Sequence, residues 1–208
     1  MTETTISTRK ILITEDDEAL RLVLSGALEM RDYEVIEADC RKTARARLQE
    51  HPDIRVMIVD LGLPPAAHTT DEGIALIRDI QQADSGAKII VLTGQDEESA
   101  ALAAIREGAF DFLSKPTPLE EILRAVQRAF LFTRQEQVLA DDGLTRLQIN
   151  ARISDGLKAV REDAEEKLVR QVLKDTDFNV YQSAARLGVK RESIYYFLKK
   201  FGIQRDPE

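Results

Sequence analysis

One cysteine, Cys40, and two histidines, His51 and His68, are all the thiol and imidazole ligands that 208 residues offer. A lone thiol excludes an internal disulfide, and three scattered ligands make no zinc constellation. Cys40 is therefore expected to pack, and His68 to lie solvated in a loop. No apolar run approaches the roughly 18 residues that a membrane-spanning helix needs, and "MTETTISTRK" has no apolar core of the signal-peptide kind. The expectation is a cytoplasmic protein without a membrane partner. There is no internal repeat and no low-complexity run. A phosphate loop of the form GxxxxGKS or GxxxxGKT is also missing, which leaves P-loop ATP hydrolysis unsupported.

Acids outnumber cations until the chain nears its end, 34 Asp and Glu against 23 Lys and Arg over residues 1–178. The net charge of −8 argues at first against nucleic acid, yet residues 179–205 carry Arg186, Lys190, Arg191, Lys199, Lys200 and Arg205 against the single acid Glu192. The tail reads as a separate basic module. The length suits one large domain or two small ones.

Five apolar runs punctuate the first part: "KILIT" at 10–14, "YEVIE" at 33–37, "RVMIVD" at 55–60, "KIIVLT" at 88–93 and "DFLS" at 111–114. Between them, residues such as Leu20, Val23, Leu24, Ala27 and Leu28 recur at helical spacing. Nearly continuous apolar strands interleaved with amphipathic helices predict a doubly wound α/β domain, a five-stranded parallel sheet covered on both faces. The helix opening at Pro118 runs on through "RAFLFTRQEQVLA", farther than a small sheet can cover, before a breaker at Gly143. Apolar residues at 157, 160, 164, 168 and 172 then mark a second amphipathic helix, either a solvated connector or one of a dimer pair.

The first strand ends in three acids, Glu15, Asp16 and Asp17, and the third ends at Asp60. In a doubly wound sheet, ligands bind at the carboxyl ends of the strands. Carboxylates about 4 Å apart repel by roughly 4 kcal/mol at an effective dielectric near 20, so such a cluster calls for a cation or a raised pKa. Magnesium suits Glu15, Asp16 and Asp60, because it takes one or two carboxylates, keeps waters and accepts phosphate oxygens. Thr93 and Lys115 stand at two further strand ends. A hydroxyl, an ammonium, carboxylates and a divalent cation around one crevice suit phosphoryl transfer, with Asp60 as the nucleophile.

At "TEDD", "VDLGLP", "LTG" and "SKP" the chain resembles the receiver domain of bacterial response regulators, the CheY-like family, over residues 1–135. The resemblance implies a phosphoryl group passed to Asp60 from a histidine kinase, Mg2+ held by Glu15, Asp16, Asp60 and the Gly62 carbonyl, and a cis Lys115–Pro116 bond. It also implies that Phe112 is an aromatic that turns inward on activation; a plain core phenylalanine is the other reading. Asp17 is expected as a helix N-terminal acid. One departure is a longer loop, "AAHTTDE", between "DLGLPP" and Gly73, either neutral or a bias on kinase choice.

In the tail, "NVYQSAARLGVKRESIYYFLKKFGI" at 179–203 reads as helix, glycine turn, helix. Ala184 and Ala185 are expected to let the helices approach, and Ile194, Phe197, Leu198 and Phe201 to form the apolar stripe. Residues 166–208 resemble the Fis-type DNA-binding domain that ends the NtrC family, joined here to the receiver by a helical linker and dimerisation segment at 136–165. The resemblance implies a recognition helix over 190–200, with Lys190, Arg191, Ser193, Tyr195, Lys199 and Lys200 as DNA contacts. Tyr195, Tyr196 and Phe197 stand where relatives are commonly basic, which lowers the electrostatic share of binding and makes a homodimer more necessary. The expected function is a non-enzymatic transcription regulator controlled by phosphorylation. The alternatives are a dimeric adaptor with a degenerate tail and, much less favoured, a phosphatase. The latter needs a second acid where Gly62 stands.

Overall fold

The computed structural model describes residues 9–83, 86–94, 97–141 and 156–204. The expected breaker at Gly143 and the cation Arg205 lie outside the described residues. Two compact units are present, Met1–Leu144 and Thr145–Glu208.

In the first unit, β1 (Lys10–Thr14), β2 (Glu34–Ala38), β3 (Val56–Val59), β4 (Lys88–Thr93) and β5 (Asp111–Ser114) form one parallel sheet in the order β2-β1-β3-β4-β5. The helices between them are α1 (Glu18–Glu29), α2 (Arg41–Glu50), α3 (Asp71–Gln82) and α4 (Glu97–Arg106), and α5 (Leu119–Asp141) follows the last strand. Strand residues alternate between faces. Ile11, Ile13, Ile58, Ile90 and Leu92 pack beneath Leu24 and Leu28 of α1 and Ile122, Leu123 and Val126 of α5. Leu12, Met57, Val59, Ile89 and Val91 pack on the other face, against Ala44 of α2, Ile77 and Ile80 of α3, and Ala100 and Ala104 of α4. With helices on both faces, the inner strands β1, β3 and β4 are buried almost throughout and read as apolar runs, whereas the edge strands β2 and β5 are only partly buried. The strand order reverses between β1 and β3, so a crevice opens at their carboxyl ends.

Loop chemistry shapes that crevice. Asp17 is the N-cap of α1, accepting from the amides of Ala19 at 2.9 Å and Leu20 at 3.1 Å. Gly73 packs α3 directly on the loop after β3. A Cβ there would lie 2.3 Å from the Leu61 Cα and 2.8 Å from the Asp60 carbonyl, so only glycine permits the approach. The peptide bonds Pro64–Pro65 and Lys115–Pro116 are both cis, the second as expected. His68 is exposed in the long loop.

Cys40 corrects its expectation. It is the half-exposed N-cap of α2, its amide donating to Thr43 Oγ1 at 3.2 Å and its sulfur 3.4 Å from the same oxygen. A thiol is small enough to sit at a helix start instead of in the core.

As expected, α5 outruns the sheet. Ala129 is its last fully buried residue, whereas Leu131, Phe132, Val138 and Leu139 are exposed. Border positions 135 and 165, expected from sequence, both fall inside continuous helices.

The second unit holds α6 (Gly156–Asp175), α7 (Val180–Leu187) and α8 (Arg191–Lys200). Val169 and Leu173 of α6 pack with Ala184, Ile194 and Ile203, flanked by Leu187, Phe197, Leu198 and Phe201. The buried face of α6 thus centres on Val169, Val172 and Leu173, and only residue 172 belongs to the stripe read from sequence. Leu157, at the head of that stripe, is 87% exposed. Gly188, at φ 64°, ends α7 in the left-handed conformation that glycine adopts without strain. Ala184 is buried as expected, but Ala185 is exposed. The second small contact comes from Ser183, whose hydroxyl lies 2.6 Å from Thr176 Oγ1.

Candidate functional site

The fold delivers the expected residues to one crevice. Glu15 follows β1 with its amide bonded to the Ala38 carbonyl at 3.1 Å, and the Asp60 amide donates to the Thr14 carbonyl at 2.9 Å. These backbone bonds extend the sheet past its strand ends and fix where both carboxylates start. One ligand oxygen each from Glu15, Asp16 and Asp60 falls within 4.8 Å of the others. Glu15 and Asp60 are buried, while Asp16 is exposed.

Lys115 closes the cluster. Its ammonium donates to Glu15 Oε2 at 2.6 Å and Asp60 Oδ2 at 2.7 Å, and its amide donates to the Thr93 carbonyl at 2.8 Å. The other Asp60 oxygen, Oδ1, accepts from the Gly62 amide at 3.1 Å. Thr93 is fully buried at the end of β4. Phe112 is half-buried against the core and lines a cleft of about 490 Å3 with Ala101, Ser114, Pro116 and Glu121.

Burial pushes the Glu15 carboxyl above the ordinary glutamate range, against the pull of Lys115 and with the Asp60 charge adding to the rise. Burial alone would lower Lys115, but its hydrogen bonds to Asp60 and Glu15 and their charges outweigh that, and it ends above the ordinary lysine range. A raised Glu15 means that its contribution to stability is fully present below the ordinary glutamate value and is lost as pH rises through the raised one. Burial makes the ionised form of Glu15 costly, and a cation beside it offsets that cost. Three oxygen donors with no sulfur or imidazole match a hard divalent ion such as Mg2+.

Arg21 escaped the sequence reading. From α1 it donates to the Glu15 carbonyl at 2.7 Å and pairs with Glu37 at 3.2 Å, while Ser25 holds the other Glu37 oxygen at 2.6 Å. Its target is a backbone oxygen, so no side-chain pattern announces it.

In the second unit, α8 begins at Arg191 with Lys190 as its N-cap. Arg191, Tyr195 and Lys199 are exposed, and Ser193 is half-buried. Lys200, expected to face DNA, is turned to α6. Its ammonium bonds Glu165 at 2.6 Å and lies 4.7 Å from the Phe201 ring centroid. Arg170 of α6 likewise donates to the Phe201 carbonyl at 2.9 Å, so the end of α8 is tied to α6 by two polar links.

Comparison with known proteins agrees with this geometry. Residues 11–127 match the response regulator receiver domain, and residues 160–201 match the bacterial regulatory protein, Fis family. The chain is 31% identical over 147 residues, 69% of its length, to the transcriptional regulatory protein KdpE of Staphylococcus aureus. It is 36% identical over 137 residues, 65% of its length, to the KDP operon transcriptional regulatory protein KdpE of Escherichia coli. It spans 60% and 56% of those two relatives. A crystallised receiver domain protein from Clostridium thermocellum superposes with a TM-score of 0.56 at 26% identity, covering 61% of this chain and 98% of that one. The chain belongs to the response regulator receiver family, carrying after its doubly wound sheet a helix-turn-helix segment of the Fis family.

Proposed function

We propose that the chain is a response regulator of a two-component system, phosphorylated on Asp60 by a histidine kinase to control DNA binding and transcription. The observation that carries the reading is the Lys115 ammonium bridging Glu15 and Asp60, groups delivered by three different strand ends. Glu15, Asp16, Asp60 and the Gly62 carbonyl would hold Mg2+, which when bound offsets carboxylate repulsion and shares phosphoryl oxygens. Asp60 accepts the phosphoryl group. The added charge then competes for the Lys115 ammonium and the Thr93 hydroxyl, and Phe112 follows the shift of Lys115.

The reading assigns residues 1–135 to the receiver, 136–165 to a connector that pairs two copies, and 166–208 to DNA binding. Lys190, Arg191, Ser193, Tyr195 and Lys199 supply the DNA contacts, and Lys200 joins them only by releasing Glu165. The place of action is the cytoplasm, and no catalytic turnover is assigned. No described helix is long and apolar enough to cross a membrane.

Binding of the full chain to duplex DNA, measured across salt concentrations, tests the proposal. Affinity should fall steeply with salt, and Lys199→Ala should reduce the slope by about one. A phosphodonor with Mg2+ should strengthen binding by wild type and leave Asp60→Asn unchanged. A chain that binds no duplex at any salt concentration would be the dimeric adaptor instead. A phosphodonor effect that persists in Asp60→Asn would remove Asp60 from the switch.

A further inference from the structure

The recognition surface is poor in free cations. Among the described residues of the second unit, Lys167, Arg170, Arg186 and Lys200 are paired with carboxylates. No carboxylate partner is recorded among the described residues for Lys190, Arg191 or Lys199, which all lie at the turn or on α8. Of these, Arg191 has a distinct neighbour. Its guanidinium carbon lies 5.4 Å from the ring centroid of Tyr181, a residue of α7 that is 70% exposed. Tyr181 does not owe its position to the core. Its amide donates to the Asn179 cap at 3.1 Å, which fixes the first turn of α7 and thereby the start of the side chain.

A cation over an aromatic face is held by the charge distribution of the ring and needs no hydrogen-bond acceptor, so Tyr181 restrains Arg191 without a carboxylate that would occupy its N–H donors. Lys200 is the opposite case, since its ammonium is bonded to Glu165. Arg191 also occupies the first turn of the second helix, the part of a helix-turn-helix that reaches base edges. An arginine presenting two edge donors there matches O6 and N7 of guanine. Its rotamer freedom, which binding would otherwise have to remove, is already reduced.

We propose that Tyr181 is a positioning residue for DNA reading, holding the Arg191 guanidinium at the start of α8 for a guanine in the major groove. The inference rests on the DNA-binding reading above. It also accounts for how an α8 that presents tyrosines where cations are common retains sequence preference: one preset arginine stands in for several loose ones.

The test uses the full chain and two probes, duplexes enriched from a random pool by wild type and the unselected pool itself. Tyr181→Ala should weaken binding to the enriched duplexes about twofold to fivefold, the scale of one exposed cation–π contact. It should leave binding to the unselected pool unchanged and relax the same guanine position that Arg191→Ala relaxes. Tyr181→Phe, which keeps the ring and loses the hydroxyl, should behave as wild type. Loss in Tyr181→Phe, or equal loss on both pools, would indicate a hydroxyl contact to phosphate and overturn the inference. Full affinity and preference in Tyr181→Ala would overturn it too. In those cases the DNA reading stands. If wild type binds neither probe, the DNA reading fails and takes this inference with it.

Discussion

Asp60→Asn should abolish phosphoryl labelling of the chain by acetyl phosphate in Mg2+, whereas wild type should take up one group, read as an added mass on the intact protein. The substitution replaces a nucleophilic carboxylate oxygen with an amide nitrogen, which does not attack phosphorus. The side-chain carbonyl can still accept from the Gly62 amide that now bonds Asp60 Oδ1 at 3.1 Å, but the amide nitrogen cannot accept from the Lys115 ammonium that now bonds Oδ2 at 2.7 Å. An unfolding curve of the variant, measured beside the labelling, separates lost chemistry from lost structure. The neighbouring acids are the natural competitors. Glu15 is only 3% exposed in its side chain, and Asp16 lies within the same cluster. Labelling that persists in Asp60→Asn would direct attention to these two and remove Asp60 as acceptor.

The second large effect concerns stability. Lys115→Met should cost about 3 kcal/mol of unfolding free energy in the presence of a chelator, the lower end of the range for stripping the partner from buried charges. The lower end applies because the Lys115 side chain keeps 23% exposure, against 3% for Glu15 and 9% for Asp60. Lys115 titrates above its ordinary range in the folded protein. Its contribution is thus fully present below the ordinary lysine value and is lost only as pH rises through the raised one. At neutral pH the substitution removes all of it and deprives Glu15 of the group that pulls its pKa down. Mg2+ should then stabilise the variant more than wild type, because a ligand bound only by the folded state adds stability that rises with the logarithm of its affinity and the variant's carboxylates lack another counter-charge. Urea unfolding with and without Mg2+ measures both terms. Unchanged stability in chelator, or equal Mg2+ gains for the two proteins, would mean that the carboxylates do not share one cation site.

How much of this was legible depended on whether the cause was local. The "KILIT" and "KIIVLT" runs coincide with β1 and β4 because strands covered on both faces are mostly apolar, and "DFLS" coincides with β5 although that edge strand is only partly buried. The edge strand read as "YEVIE" is displaced by one. Tyr33 looks like strand but belongs to the turn after α1, its amide bonded to the Leu28 carbonyl at 3.3 Å and its ring stacked on Phe130 at 5.3 Å. Glu15, Asp16, Asp60, Thr93 and Lys115 were legible because a parallel sheet sends every strand end to one side. Two links were not. Arg21 acts on a backbone oxygen, and Lys200 meets Glu165 from 35 residues away, so neither leaves a periodic trace. The apolar residues of α6 suit more than one stripe: packing against α7 and α8 takes Val169, Val172 and Leu173, and leaves Leu157 of the stripe read from sequence exposed.

The claim beneath all of this is that separate strand ends assemble one divalent-ion and phosphoryl site. Anomalous diffraction from crystals of the wild-type chain grown in Mn2+ tests it most directly. The expected result is a single strong peak within coordination distance of Glu15, Asp16 and Asp60 carboxylate oxygens. Crystals that carry Mn2+ elsewhere but show no peak between those three residues would contradict it.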